Sequence, residues 1–529
     1  MKFNHAILFL FCLMSFFVNG QIDFTSDFEV EVGKPYPFKS VPLQTNLSDS
    51  KGNVVFVRFT RKMVQVDSYD SKTMSLKGTH QLKNTNGKLF HQVEQIGDKA
   101  YLFYTERVFR DSMRLFAKEI NFETGEFAKE SKVLFDFRFN MNYRLTNQNY
   151  AITNFEGTTY NWDNDFPFKV YKSKSNEKVA IRFKNDVARS VFAISGYKIL
   201  IGVYFFTPDL EPQGGGIFDL TKENGYFHPK NHLLSDAGNL FTFSLSYGVT
   251  GFRSYQFFKD GHYEVDSICQ VPNNSHGHRP VSLEKNDSTI SVFNFTYKAT
   301  EHKDPWAREN NVINTAEYFG LTPDNTLINR AYKTFSSEFI RDHGYVGLSK
   351  YDGTRTEYFL AKAEKVAIHR LSNQHLVQLE NGNVLLFAEE AMTGSTGNNK
   401  PYYYHGNIWV LLFDSVGNCI SHQKIIKRQD GSDRQAGLGY SMARINGEVY
   451  VFFRQYEKKI KDSVLCCAKI NTETGSIELQ NILQFEDAQG LKCKIFNSAN
   501  PVIDENQNLI FEVYAGKRQF NTVKLKLKQ

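Results

Sequence analysis

Cysteine is scarce in this chain: six in 529 residues, five of them beyond residue 20. Five is odd, so at least one thiol stays free or pairs between molecules, and no disulfide framework is demanded. Cys269, Cys419, Cys466, Cys467 and Cys493 read as small buried hydrophobes. The adjacent pair Cys466 and Cys467 would point to opposite faces of a strand, so at most one of them would reach Cys493. A dominant charge sign is also missing, with 63 Lys and Arg against 57 Asp and Glu. No basic run is dense enough for nucleic acid, so that class of partner is set aside. Beyond residue 20 nothing approaches the roughly 18 consecutive apolar residues of a membrane-spanning helix. Helical periodicity is equally hard to find, because Pro or Gly interrupts every stretch long enough for a helix.

The familiar catalytic signatures are missing as well: no G-x-S-x-G elbow, no P-loop and no dinucleotide fingerprint. His276 and His278 stand two apart, and His228 and His232 four apart, but neither pair has a third ligand at a zinc spacing. "RQDGSDRQAG" places Asp430 and Asp433 as in a calcium loop, yet lacks the closing bidentate Glu. No metal and no cofactor are expected.

What is abundant is aromatic: 15% of the chain, with 47 Phe and 27 Tyr. These residues favour half-buried strands, so the composition leans towards β. The start of the chain reads differently. Lys2, the apolar run over 6–18 and "VNG" before Gln21 have the pattern of a cleaved secretory leader over 1–20. The expectation is an exported chain, whether periplasmic, cell-surface or extracellular.

From Gly52 onward one punctuation recurs. An apolar run reaches a turn of Gly, Asn or Asp and a second apolar run follows, as in "SDSKGNVVFVRF", "EQIGDKAYLFY", "LENGNVLLFAEE" and "RINGEVYVFFR". The anchors are Gly52, Gly97, Asn147, Gly196, Gly238, Asn286, Gly382, Gly447 and Asn506, spaced 42 to 50 residues apart as far as Asn286. A near-constant period of that size means a repeat architecture. A second set of tight turns lies downstream of the first: "INFETGEF", "YKSKSNEKVAI", "FDLTKENGYF", "FFKDGHYEV", "LTPDNTLI", "FDSVGNCI" and "INTETGSI". Each unit therefore reads as four short antiparallel strands, A to D, with tight A–B and C–D turns.

Units of this kind resemble the blades of a β-propeller over most of residues 21–529. WD, kelch and Asp-box blade motifs are absent, so the resemblance names no subfamily. The fold expected is all-β, a single propeller of eight four-stranded blades, with seven or nine also compatible with the spacing. "DFEVEV" (27–32) would complete the sheet begun by "NLIFEVYAGKRQFNTVKLKL", closing the ring through the two chain ends. Two tandem smaller propellers joined near "SHQKIIKRQDGSDRQAG", or a β-sandwich array, are the alternatives.

In such a blade the A–B and C–D turns share one face of the disc, and the B–C and D–A connections share the other. The long insertions are read as B–C loops: "TNFEGTTYNWDNDFPF", "FTPDLEPQGGG", "TYKATEHKDPWARENNVINTAEY" and "EEAMTGSTGNNKPYYYHGN". Long loops gathered on one face imply a binding surface. Trp162, Trp306, Arg308, Tyr402, Tyr403 and Tyr404 are its candidate contacts, suited to sugar stacking or protein hot spots. Arg144, Arg189, Arg279 and Arg370, near the starts of expected A strands, with Arg434 in a D–A loop, would converge on an anion or serve structural ion pairs.

No residue is assigned a catalytic role. A glycosidase would need two facing carboxylates, and Asp163, Asp165, Glu309, Glu389 and Glu390, in or beside the long loops, are the candidates. The leading reading is a non-catalytic exported scaffold that binds a protein or polysaccharide partner, as a subunit of an envelope assembly. A carbohydrate-active enzyme of propeller fold is the alternative, and a binder of small anions in the funnel is the third.

Overall fold

A computed structural model describes residues 26–34, 36–37, 44–59, 63–84, 88–109, 112–138, 168–184, 200–220, 226–247, 251–270, 280–286, 288–296, 313, 315–336, 339–340, 371–395, 401–427, 429–431, 439–457, 462–484, 495–496, 501–516 and 519–528. Most of them are in strands, arranged in eight antiparallel sheets. The first blade is built from Gln44–Ser48, Val54–Phe59, Met63–Asp70 and Ser75–Lys83. The second is Leu89–Ile96, Lys99–Phe109, Ser112–Ile120 and Lys132–Arg138, and the third Phe168–Lys172, Val179–Lys184, Leu200–Phe206 and Pro212–Asp219. The fourth follows as Tyr226–Leu234, Leu240–Tyr247, Gly251–Phe257 and Tyr263–Gln270, and the fifth as Val281–Glu284, Ile290–Thr296, Thr315–Leu321 and Leu327–Thr334. Leu371–Gln378, Val384–Ser395, Pro401–Phe413 and Cys419–Ile425 make the sixth; Ser441–Ile445, Glu448–Glu457, Asp462–Ile470 and Ile477–Gln484 make the seventh. In the eighth, an inner strand split into Ile495–Phe496 and Val502–Ile503 pairs with Leu509–Gly516, then Gln519–Leu527, and Phe28–Val32 adds the fourth strand.

Each sheet is apolar on both faces because each blade is packed on both sides. In the sixth blade Val384, Leu386 and Ala388 face the fifth blade, while Leu385 and Phe387 face the seventh. That is why "VLLFA" is unbroken instead of alternating. Among the described residues eight apolar clusters occur, one between each pair of neighbouring blades, including the eighth and first. A full circle of seams closes the ring. The molecule is an eight-bladed β-propeller. Cys466 and Cys467 follow the same alternation, one in the seam with the sixth blade and one in the seam with the eighth, and both are buried free thiols. Burial pushes the Cys467 thiol well up, the behaviour of a core side chain.

One turn chemistry recurs in both hairpin classes. Residue i donates its N–H to the carbonyl of i+4, residue i+3 donates back to the carbonyl of i, and i+3 is left-handed. The pattern holds at Asp49, Ser235, Leu379, Asp414 and Asp504 among others. This is a type I turn closed by a left-handed residue, a standard three-residue hairpin loop. Asp49 and Asp414 reinforce it by accepting amides two and four residues on. At Gly417 the reason for glycine is steric as well as conformational. Its φ is 90°, and an added Cβ would overlap the Tyr318 ring of the preceding blade.

The third blade departs from the expected frame. Its A–B turn is 173–178 and its C–D turn is 207–211. "YKSKSNEKVAI" is thus an A–B turn, "FTPDLEPQGGG" is a C–D hairpin and not a B–C insertion, and "FDLTKENGYF" joins the third blade to the fourth. "TNFEGTTYNWDNDFPF" falls between the last strand of the second blade and the first strand of the third, a D–A connection. The anchors Asn147 and Gly196 and the hairpin expected at 344–360 lie outside the described residues. Reading the frame failed because both turn classes use the same bonding, and because Asn176 and Leu210, not Gly, fill the left-handed positions here.

The seam between the eighth and first blades holds buried charged groups beside its apolar cluster. Asp504 accepts the Asn506 and Asn508 amides at 2.8 and 3.0 Å and lies 3.2 Å from Lys524, whose ammonium also donates to the Ser71 carbonyl at 2.8 Å. Burial pushes the Asp504 carboxyl up, but the Asn508 side chain, these amides and Lys524 outweigh it and hold the group below its usual range. A depressed folded-state pKa means stability present above the unfolded value of about 3.9 and lost as pH falls through the lower one. Asp504→Asn is therefore expected to flatten the acid limb of stability below about pH 4. Denaturant midpoints compared at pH 7 and pH 3 check this; parallel acid limbs in both proteins would count against it.

Candidate functional site

The two faces of the disc are built differently. On the turn face, neighbouring blades are knitted together by their inner turns. Ser50 donates its amide and hydroxyl to Asp98, at 3.1 and 2.8 Å, and the Ser175 amide donates to Asp236 at 2.8 Å. The Asp236 amide donates to Glu284 at 2.7 Å, and Arg444 donates to Glu380 at 2.8 Å. Lys174 of the third blade reaches Asn286 of the fifth and, at 2.8 Å, Gln378 of the sixth. One lysine contacting two further blades draws the inner rim of this face together.

The loop face carries a projection. Val384–Ser395 and Pro401–Phe413, at 12 and 13 residues, are the longest strands among the described residues. Their pairing continues from Ala391↔His405 to Ser395↔Pro401, past the ends of the flanking strands, where Glu390 meets Leu371 and Ile408 meets Ile425. Gln429–Gly431 adds a third strand against Tyr403, Tyr404 and His405. The insertion "EEAMTGSTGNNKPYYYHGN" is therefore mostly an extended ribbon, with Tyr402, Tyr403 and Tyr404 in its strand. A bare two-stranded hairpin is marginal in water; the third strand and a buried base support this one.

That base is a buried polar network. Glu389 and Glu390 end the apolar run, on either side of which they point to opposite faces of the sheet. Towards the seventh blade, Glu389 pairs with Lys427, both buried. The Lys427 ammonium also donates to Gln429 Oε1 at 3.1 Å and to the Gly439 carbonyl at 3.3 Å. Gln429 in turn donates to the Arg454 carbonyl at 2.8 Å and accepts the Gly439 amide at 2.6 Å. Burial pulls the Lys427 ammonium down and Glu389 opposes it; burial, then Glu389, pushes Tyr440 well up. Towards the fifth blade, Glu390 lies 3.1 Å from Lys424 and accepts the Trp409 indole N–H at 2.8 Å. Lys424 sits 4.8 Å from the Phe339 ring centroid and 5.2 Å from that of Trp409.

Glu389 and Glu390 were placed by sequence in or beside a loop; the structure places them in a strand, buried and paired with lysines. Facing opposite ways, they do not flank one sugar between them. Their partners Lys424 and Lys427 carried a signal, since residues three apart on an extended segment also point to opposite faces. Trp162, Asp163, Asp165, Trp306, Arg308, Glu309, Arg144, Arg189, Arg279, Arg370 and Arg434 lie outside the described residues. Among the described residues no group of three or more His, Cys, Asp and Glu is placed to hold a metal ion, and no helix is long and apolar enough to cross a membrane.

No protein-family model matches the chain, and no curated protein does. Solved structures do. A structure of the Dos1 propeller matches with a TM-score of 0.42 at 7% identity, covering 94% of this chain and 96% of that one. The WD40 domain of SCAP from fission yeast matches with a TM-score of 0.37 at 9% identity, covering 95% and 99%. A prolyl endopeptidase matches with a TM-score of 0.40 at 11% identity, covering 90% of this chain and 55% of that one, so the chain spans about half its length. The similar structures include enzymes and binding propellers, and the likeness is one of architecture alone.

Proposed function

We propose that this chain is an exported, non-catalytic propeller that binds a protein or polysaccharide partner on its loop face, as a periplasmic or surface component of an envelope assembly. The observation that carries the reading is the projecting three-stranded ribbon of the sixth blade, rooted in a buried ion network. A rigid platform presents contact side chains at low entropic cost, which is what a binding surface needs. Among the described residues the turn face, bound up in its own cross-blade contacts, offers no comparable projection. Export rests on the leader-like pattern of residues 1–20, with cleavage before Gln21.

The test is recovery of partners from envelope extract, and of soluble polysaccharides, on the immobilised full chain. Tyr403→Ala on the ribbon and Trp306→Ala in the fifth-blade insertion are each expected to cut recovery at least ten-fold, by analogy with aromatic hot spots. Glu473→Ala, in an exposed turn of the opposite face, is expected to leave it unchanged. Recovery that survives both aromatic changes would overturn the proposal.

A further inference from the structure

We propose that the seam between the third and fourth blades, towards its loop-face end, binds an oxyanion: the phosphate, sulfate or carboxylate group of a ligand. This goes beyond partner binding by the sixth blade and does not depend on it.

Lys169 and Arg182 stand directly opposite each other on the first two strands of the third blade. Both lie on the face turned to the fourth blade, the face that also carries Ala180 and Val203 of that seam's apolar cluster. Two positive side chains thus stand side by side across the two strands. The row they share continues through Val203 to Gly216, and the row beneath it is Tyr171, Ala180, Phe205 and Gly214; among the described residues neither contains a carboxylate. From the fourth blade His232 meets this surface, its ring 4.9 Å from that of Tyr171 and its Nδ1 2.7 Å from Thr242 Oγ1. The rows beside it, Thr242, Tyr255 and Val265, add no acid.

Three polar atoms in this one seam are buried without a hydrogen-bond partner: Arg182 Nε, His232 Nε2 and the Tyr171 hydroxyl. All three can donate, and buried donors are ordinarily satisfied. Burial, then Arg182 and Lys169, holds His232 well below its usual range, so it is a neutral imidazole. In the tautomer whose Nδ1 accepts the Thr242 hydroxyl, the ring proton sits on Nε2, the buried nitrogen that has no partner. A guanidinium edge, an imidazole N–H and a phenol O–H beside a lysine form a donor set for an oxygen-rich anion, and Arg supplies the directional part. Room exists at the outer end of the row, where a Cβ added to Gly216 would meet nothing within 4 Å. The strand Phe168–Lys172 starts, and Val179–Lys184 ends, on the loop face, so Lys169 and Arg182 stand towards that end of the seam.

The test is calorimetric titration of the full chain at low ionic strength with inorganic phosphate, sulfate and an oligogalacturonate. Saturable binding of at least one is expected, and the preferred probe tells a phosphorylated or sulfated ligand from an acidic polysaccharide. Arg182→Gln is expected to weaken binding at least ten-fold, and Tyr171→Phe, which removes one hydroxyl, several-fold. Arg114→Gln, on the exposed Arg114–Asp136 pair of the second blade, is expected to have no effect. Without ligand, Arg182→Gln should melt no lower than the parent, because it relieves a like-charge pair. No saturable binding of any probe, equal weakening by Arg114→Gln, or a lower melting point for Arg182→Gln would each overturn the proposal.

Discussion

Arg58→Ala is expected to cost about 3–5 kcal/mol, the range for removing one partner from a buried ion pair. Arg58 lies on the second strand of the first blade and contacts Asp67 on the third strand and Glu512 of the eighth blade. All three side chains are about 1% exposed or less, which is why the environment offers no water to replace a lost partner. The guanidinium also donates to the Tyr36 hydroxyl at 3.1 Å, and Asp67 is further held by Thr79 at 2.7 Å. Burial pushes Glu512 well up and Arg58 down to about 9, each in the direction that disfavours its charged form. Removing the arginine strands two carboxylates in an apolar seam. The loss should be local at first, because this seam joins the first blade to the sheet in which Phe28–Val32 pairs with Gln519–Leu527. Denaturant unfolding measures the size. Hydrogen exchange locates it: amides of those two strands are expected to lose protection before any other blade does. A midpoint within about 1 kcal/mol of the parent would show that the triad contributes little.

Much of the fold was legible because left-handed turn positions select Gly or Asn. Gly52, Gly97, Gly238, Gly382 and Gly447 all have positive φ, and each marks a first hairpin of a blade. Legibility failed where the same backbone is held by Leu210, whose side chain carries no such signal. Once the frame is set by 173–178, Lys169 and Arg182 fall opposite each other. Under the frame read from sequence they already flanked a hairpin, but nothing showed that His232 and Tyr171 meet them. That juxtaposition comes from the packing of two blades, which no local pattern encodes. The ribbon was hidden for another reason. "TGSTGNNKP" has loop chemistry, and what extends the strands through it is a third strand some 25 residues later, with ion pairs beneath.

Those ion pairs give the second large effect. Lys427→Met is expected to cost about 3–5 kcal/mol, because it removes one partner of the fully buried Lys427–Glu389 ion pair. The ammonium also ties Gln429 and Gly439 together, so its loss should release Gln429–Gly431 from Tyr403, Tyr404 and His405. Amide exchange at Tyr403 and Tyr404 is then expected to speed up more than anywhere else in the blade. Partner recovery should fall with it, although no contact side chain on the ribbon has changed. The double change Lys427→Met with Glu389→Met separates charge from shape. Replacing both ions by apolar side chains of similar length removes the stranded carboxylate, and most of the lost stability should return. If the double variant is no more stable than the single, the cost is one of packing, and the ion pair is not what holds the ribbon. If stability returns and recovery does not, the ribbon needs the Gln429 and Gly439 bonds as well as a neutral base. Partner binding would then be set by how firmly the third strand is held, which places control of the loop face beneath its surface.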